Sequence, residues 1–190
     1  MKLFIHHPAL IVIDVQHGID DAAHWGGNRN NPDAEQNIEK LLTRWRRRGL
    51  PVFIVQHQST EAGSPFRPGQ KGNALKEFAT PLPGETLISK STTNAFISTG
   101  LQEKLEEMKI KELVIAGFVT NNSVESTARR AGELGFKSYV VSDATACFDK
   151  VGLNGERYAS ALVHDLSLAN LKGKYAFIAT TKEIINSIAD

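Results

Sequence analysis

The sequence has only one cysteine, Cys147, among its 190 residues. A lone cysteine cannot form an internal disulfide, so the chain has no disulfide framework of the kind found in small secreted domains. The N-terminal apolar patch is interrupted by His6, His7 and Pro8, which leaves it unlike a signal peptide and too short to cross a bilayer. We therefore expect a cytoplasmic protein without a membrane partner.

An excess of charge of one sign is also missing. The chain has 22 basic and 21 acidic side chains and a net charge of +1, whereas proteins that bind nucleic acid or anionic membranes rely on an excess of positive charge. We expect neither partner. Hydrophobic residues make up 41% and charged residues 23%, as in ordinary globular proteins. A chain of this length fits a single domain, residues 1–190, with one sizeable core.

Strand-like and helix-like segments alternate along the chain. The predicted strands are residues 9–15, 52–55, 86–89, 112–117, 138–141 and 176–179. The predicted helices are residues 38–45, 101–108, 123–134, 158–166 and 184–188, with a short one at 74–78 inside the Gly- and Pro-rich connection 58–84. Apolar strands without polar alternation are typical of parallel strands buried on both faces. The pattern predicts an α/β fold, a three-layer α/β/α sandwich around a mostly parallel sheet of about six strands.

Polar residues follow four of these strands, at the edge of the sheet where such folds bind ligands. Asp14 lies inside an apolar run, where a carboxylate must be paired or have a raised pKa. Lys90 ends the third strand, and Ser123 begins the helix after the fourth. For Ser123 alone, a helix N-cap is the simpler interpretation. His57 ends the second strand, and we interpret it as a packed or hydrogen-bonded side chain, the commoner role of a lone histidine.

Together, an acid, an amine and a hydroxyl at one sheet edge can carry out acyl transfer. Asp14 would take the proton of the nucleophile Ser123 and later give it to the leaving group. Lys90 would keep the carboxylate ionised and in place. Backbone N–H groups at Val119, Thr120 and Ser123 would receive the carbonyl oxygen, because N–H groups at a helix start lack intrahelical partners. We predict Asp14, Lys90 and Ser123 as the catalytic residues.

The order of motifs resembles the isochorismatase-like superfamily, often called the cysteine hydrolases. The similarity spans nearly the whole chain and is carried by Ile13-Asp-Val-Gln16, His57-Gln-Ser with Gly63 to Gly69, Gly84 to Lys90 with Asn94-Ala-Phe96, Gly117 to Arg129, Asp143-Ala-Thr, and His164 to Ala169. The resemblance implies a Rossmann-like fold and an Asp-Lys-Cys triad that hydrolyses small amides or related C–N bonds. Asp14 and Lys90 match two members of that triad.

The chain departs from the family pattern at Ser123, where the resemblance implies cysteine. A thiol with a pKa of about 8.5 ionises readily at a helix N-terminus, whereas a serine hydroxyl is far more basic. Three explanations are open: an engineered replacement that traps substrate, a natural serine with slow or redirected chemistry, or a homologue that has lost catalysis and kept a ligand pocket. Cys147 is not a substitute nucleophile, because its segment is typical of a strand exit and small buried cysteines are common.

The resemblance implies three further features. Family structures often have a non-proline cis peptide before the Thr of the turn, which here joins Val119 to Thr120. A homodimer or higher homo-oligomer is implied. Nicotinamidase relatives carry a metal-site histidine two residues after the Asp, where this chain has Gln16. We therefore predict no metal and no other cofactor, and nicotinamide is a poorer substrate candidate.

Two alternatives to an amide hydrolase remain. True isochorismatases share the Asp-x-Gln pattern, cleave a vinyl ether and lack the cysteine nucleophile. Against this alternative, Arg67 is the only loop arginine we identify for holding substrate carboxylates. The other alternative is a non-catalytic ligand-binding or assembly homologue. For a small-molecule ligand, we predict that Gln16, Trp25, Phe66 and Phe96 form the pocket wall.

Overall fold

A computed structural model describes residues 6–188 of the chain. Its strands are β1 (Ala9–Ile13), β2 (Val52–His57), β3 (Thr86–Lys90), β4 (Glu112–Phe118), β5 (Lys137–Ala146), β6 (Lys150–Val151), β7 (Arg157–Tyr158) and β8 (Phe177–Ala179). Six of them form one sheet in the order β3-β2-β1-β4-β5-β8, with every neighbouring pair parallel. The strands β6 and β7 form a separate antiparallel hairpin.

The helices are α1 (Ala22–Trp25), α2 (Ala34–Arg48), α3 (Leu101–Glu107), α4 (Glu125–Glu133), α5 (Ser160–Leu171) and α6 (Thr181–Ser187). The longest, α2, ends where sequence rules place its end: Gly49 adopts a left-handed conformation with φ 59° and its N–H donates to the carbonyl of Arg46, a common helix stop. Between residues 6 and 188, no helix is long and apolar enough to span a bilayer.

Two separate apolar cores lie on the two faces of the sheet. Alternate residues of β1 point to opposite faces, so Leu10 and Val12 pack with α2 and α6, whereas Ile11 and Ile13 pack with α3, α4 and α5. This alternation is the period-two geometry of a strand. Helices on both faces of a parallel sheet make the three-layer sandwich that the apolar strands predict, and the predicted fold class is confirmed.

The strand order reverses beside β1, which places the residues after β1 and β4 next to each other. The chain runs outward through β2 and β3, then returns to add β4 on the other side of β1. Ile13 pairs with Gly117 at this junction. A Cβ on Gly117 would lie 2.1 Å from the carbonyl oxygen of Ile13, and Gly117 has φ 122°, so only glycine allows this close approach. In parallel sheets such a switch point is the usual ligand site.

The predicted short helix at 74–78 is wrong. The segment is extended between two 3₁₀ turns, Lys71–Asn73 and Glu77–Ala79. The carbonyl of Ala74 accepts from His17 N–H at 2.9 Å, and the N–H of Lys76 donates to the carbonyl of Val15 at 3.0 Å. These backbone groups bond across to the segment after β1, so they are not available for a helical ladder.

The chain between β5 and α5 also differs from the prediction. The strand β5 continues to Ala146, well past the predicted end at Val141. The helix α5 begins at Ser160, and Tyr158 instead pairs with Lys150 in the hairpin. All four hairpin residues are exposed, so the two-residue strands carry no burial pattern that sequence periodicity could detect.

Candidate active site

Asp14 follows β1 directly and has an unusual backbone conformation. Its N–H still donates to the carbonyl of Val55 at 2.9 Å, which continues the strand pairing by one residue. Its φ is 54°, in the left-handed region that Asp tolerates better than most residues and that often marks functional sites. The residue is 2% exposed, yet its Oδ1 has no hydrogen-bond partner among residues 6–188. A buried carboxylate oxygen without a donor is an acceptor held ready for a proton or a ligand.

Lys90 links the polar groups of the site. As the last residue of β3 it lies beside His57 in the strand register. Its ammonium donates to Asp14 Oδ2 at 2.8 Å, to Ser123 Oγ at 3.2 Å and to the carbonyl of Thr92 at 3.1 Å, and it lies 3.1 Å from His57 Nδ1. Lys90 is also 2% exposed. Such a buried ammonium requires a counter-charge, which the Asp14 carboxylate supplies.

Ser123 lies in a single π-helical turn, Thr120–Val124, directly before α4. The N–H groups of Asn122 and Val124 both donate to the carbonyl of Val119, at 3.0 and 3.3 Å. Single π-helical turns are uncommon and occur frequently at functional sites. Ser123 is 6% exposed, with its hydroxyl held by Lys90. The structure therefore brings Asp14, Lys90 and Ser123 together at the edge of the sheet.

The position predicted for the cis peptide bond is wrong by one residue. The cis bond joins Phe118 to Val119, and not Val119 to Thr120. The peptide group between Val119 and Thr120 already belongs to the helical turn, because its carbonyl accepts the two hydrogen bonds that begin that turn. Peptide groups inside a helical hydrogen-bond ladder are trans.

A cavity of about 300 Å³ opens beside Asp14 and Ser123. Two of the four predicted wall residues, Trp25 and Phe66, line it, with their ring centroids 5.0 Å apart. Val119 and Ser123 also line it, so the start of the turn faces the cavity. The remainder of the wall comes largely from polar residues in the loops after β2 and β3.

The other two predicted wall residues do not line the cavity. Gln16 is fully buried; its Nε2 donates to the carbonyls of His57 and Asn73 at 3.0 and 2.8 Å, and its Oε1 accepts from His57 N–H at 2.8 Å. Its amide therefore ties β2 to the following loop instead of meeting a ligand. Phe96 packs into the core on the α3 and α4 side, stacked on Phe136 at 6.1 Å. Both predictions are corrected here.

Thr120, predicted to contribute an oxyanion N–H, is not among the lining residues. It is fully buried, and its Oγ1 lies 2.9 Å from His164 Nδ1. Its carbonyl accepts from Ser167 Oγ at 3.2 Å. Burial lowers the pKa of His164, so the imidazole is neutral near pH 7. His164 and Ser167, both on α5, thus support the turn that carries Ser123 from behind.

The interpretation of His57 as merely packed is wrong, because its side chain lines the cavity. Burial, and then the positive charge of Lys90, lower the pKa of His57. A neutral imidazole can accept from the Lys90 ammonium through Nδ1. A signal was present in the sequence: His57 ends β2 as Lys90 ends β3, and parallel strands place such residues side by side. Residues after the same two strand ends, including Ser59, Thr60 and Ser91, also line the cavity.

Cys147 is absent from the cavity lining. It is buried, and its Sγ donates to the carbonyl of Ser160 at 3.2 Å. Burial raises the pKa of its thiol to about 12, so it stays protonated and unreactive. Among the residues that the structure describes, no three His, Cys, Asp or Glu side chains form a group that could hold a metal ion. Gln16, at the position of the metal-site histidine, has its amide fully engaged with backbone.

Fold and site define the class: a parallel three-layer α/β protein with a buried acid, amine and hydroxyl at the switch point of its sheet, an arrangement suited to hydrolysis. The Isochorismatase domain matches residues 8–183, and the chain belongs to the isochorismatase family. It is therefore an isochorismatase-family hydrolase.

Relatives match over nearly the full length of the chain. The isochorismatase family protein YrdC of Bacillus subtilis is 43% identical over 178 residues, which cover 94% of each chain. Nicotinamidase 3 of Arabidopsis thaliana is 26% identical over 193 residues, covering 95% of this chain and 88% of the relative. A crystal structure of an isochorismatase-family protein from Chromobacterium violaceum superposes with a TM-score of 0.93 at 44% identity, covering 98% of this chain and 97% of the other.

Proposed function

We propose that this chain hydrolyses small amides or related C–N bonds through Asp14, Lys90 and Ser123. The observation that carries the proposal is the position of one ammonium, Lys90 Nζ, which donates to both Asp14 Oδ2 and Ser123 Oγ at the wall of one cavity. Two relatives support it by name: Nicotinamidase 3 of Arabidopsis thaliana and the ureidoacrylate amidohydrolase RutB of Variovorax paradoxus.

The hydrogen bonds suggest the path of the proton. Because Lys90 donates to Ser123 Oγ, the hydroxyl hydrogen of Ser123 is left for another acceptor, and Asp14 Oδ1 is buried without a donor. Asp14 takes this proton as Ser123 Oγ bonds to the substrate carbonyl carbon. The C–N bond then breaks, and the leaving nitrogen receives the proton from Asp14. Water, deprotonated by Asp14, cleaves the resulting ester, which releases the acid and restores Ser123.

The start of the turn after β4 supplies electrostatic stabilisation in this scheme. Val119 and Ser123 line the cavity directly before α4, where the helix dipole favours negative charge. Their backbone N–H groups receive the oxygen of the tetrahedral intermediate. Loss of one such donor typically costs about 100- to 1,000-fold in rate.

Serine makes the first step slower than cysteine would, because its hydroxyl is far more basic than a thiol. The test measures ammonia release from a panel of small primary amides by the wild-type protein, Ser123→Cys and Ser123→Ala. We expect Ser123→Cys to be faster than wild type and Ser123→Ala to fall at least about 100-fold below wild type. If wild type and Ser123→Cys are both inert on every amide yet one still binds, the non-catalytic binding alternative replaces the proposal.

One observation favours a second candidate, a vinyl-ether hydrolase of isochorismatase type. Asp14 Oδ1 is buried and unpartnered, so a protonated Asp14 could protonate a substrate without help from Ser123. Against this candidate, none of the described residues that line the cavity is arginine or lysine, and Arg67 is exposed outside it. A substrate with two carboxylates would lack partners there. Homo-oligomer formation and a cytoplasmic location stay predictions.

A further inference from the structure

The cavity beside Asp14 and Ser123 carries an unbalanced negative charge. Among the lining residues that the structure describes, Asp14 and Glu61 carry carboxylates and no cationic Lys or Arg is present. The ammonium of Lys90 is already paired with Asp14. The charge that remains is that of Glu61, which disfavours a carboxylate on the ligand and favours a cation.

Glu61 is fixed at the cavity mouth through its backbone. Its N–H donates to Ser59 Oγ at 3.2 Å, and its carbonyl accepts from Ser64 N–H at 3.2 Å; both serines are buried. The Glu61 side chain is exposed and has no hydrogen bond or ion pair with any residue from 6 to 188. Burial lowers the pKa of His57, and Glu61 is among the charges that oppose this shift, so its carboxylate acts on the same cavity.

Two aromatic rings stand next to this carboxylate. Phe66 belongs to the same turn as Glu61, and the ring of Trp25 is tilted against it by 46°. The indole N–H of Trp25 donates to the carbonyl of Gly18 at 2.8 Å, which fixes the ring and leaves its apolar face for a ligand. Aromatic faces attract ammonium groups, and tryptophan does so most strongly.

We propose that the cavity selects an amide whose far end carries an ammonium group. The amide carbonyl lies at Ser123, and the ammonium lies between the Glu61 carboxylate and the rings of Trp25 and Phe66. The volume of about 300 Å³ is at the small end of ligand cavities, so the chain between amide and ammonium is short. This inference rests on the amide hydrolysis proposed above and adds the class of substrate.

Three amides of matched length test the proposal: the amide of γ-aminobutyric acid, pentanamide, and the monoamide of glutaric acid. They carry a positive, neutral and negative far end. We expect kcat/KM for the ammonium amide to exceed that for pentanamide roughly tenfold, as one exposed ion pair and one cation–π contact allow. The glutaric monoamide should be the poorest substrate. High salt should weaken the preference, because the mouth is exposed.

Substitution at Glu61 provides the decisive comparison. Glu61→Gln should lower the ratio of ammonium amide to pentanamide roughly tenfold, and Glu61→Lys should make the glutaric monoamide the better charged substrate. Glu107→Gln is the matched control, since Glu107 is an exposed carboxylate at the end of α3 and its loss changes the net charge equally. The ratio should stay at the wild-type value in this control.

The outcomes separate this inference from the proposed function. If the amides are hydrolysed but the ratio is the same in wild type and Glu61→Gln, the ammonium proposal is overturned and amide hydrolysis stands. If neither wild type nor Ser123→Cys hydrolyses any of them, amide hydrolysis fails, and binding measured by tryptophan fluorescence decides. Tighter binding of the ammonium amide that is lost in Glu61→Gln supports the site, and equal binding of all three overturns it.

Discussion

Lys90 Nζ lies 2.8 Å from Asp14 Oδ2, and both residues are 2% exposed. Removing one member of a buried ion pair leaves the other charge uncompensated, which typically costs about 3–5 kcal/mol. We expect Asp14→Asn to lower the free energy of unfolding by about that amount and amide hydrolysis at least about 100-fold. Denaturant unfolding and ammonia release measure the two effects.

Two further variants separate the stability effect from the catalytic one. Asp149→Asn is the matched control, because Asp149 is buried and pairs with Arg157 away from the cavity; it should lose stability while hydrolysis persists. The double variant Asp14→Asn, Lys90→Met should recover part of the lost stability, since no unpaired charge stays buried, yet remain inactive. Recovery of activity in the double variant would contradict the role of Asp14 as the base.

Gly117 holds β1 and β4 together at the site. Because a Cβ at this position would overlap the carbonyl of Ile13 at 2.1 Å, Gly117→Ala must push the two strands apart. We expect a loss of more than about 4 kcal/mol of unfolding free energy, at the severe end for single substitutions. Gly63→Ala serves as control, since a Cβ there meets open space and its φ is not positive. A Gly117→Ala protein as stable as Gly63→Ala would refute the close approach.

Stability should fall as the pH is lowered through the histidine range. The folded state lowers the pKa of His57, through burial and Lys90, and of His164, through burial. Below their usual value of about 6.5, the unfolded chain binds more protons at these positions than the folded chain. The free energy of unfolding is therefore highest above pH 6.5 and decreases toward the lowered pKa values.

Denaturant unfolding of wild type and His57→Asn at several pH values between 8 and 5 checks this (a range chosen to bracket the usual value). The variant should lose less stability than wild type over the same range, because it lacks one of the two titrating groups. Identical slopes for the two proteins would show that His57 does not titrate with a lowered pKa.

Strand order and site position were accessible from the sequence. The β-branched runs before Asp14 and before Gly117 define strands buried on both faces, and parallel strands bring their carboxyl ends to one edge. Placing Asp14, Lys90 and Ser123 together required no knowledge of side-chain direction. It required only that each residue follow its own strand.

The direction of individual side chains was not accessible in the same way. The left-handed φ of Asp14 breaks the strand alternation, so the burial of Gln16 against the backbone of His57 and Asn73 could not be inferred from spacing. Phe96 follows β3 in the chain but packs into the core beneath α3 and α4. That choice between two apolar environments depends on the path of the loop, which periodicity does not encode.

A covalent intermediate on Ser123 is the most direct test of the account. Wild-type protein incubated with a hydrolysed amide is quenched in acid, its intact mass is measured, and the modified peptide is mapped. The account predicts a mass increase equal to the acyl group on the peptide containing Ser123, and neither adduct nor hydrolysis in Ser123→Ala. Continued hydrolysis by Ser123→Ala without any adduct would contradict it, because water would then attack the substrate directly.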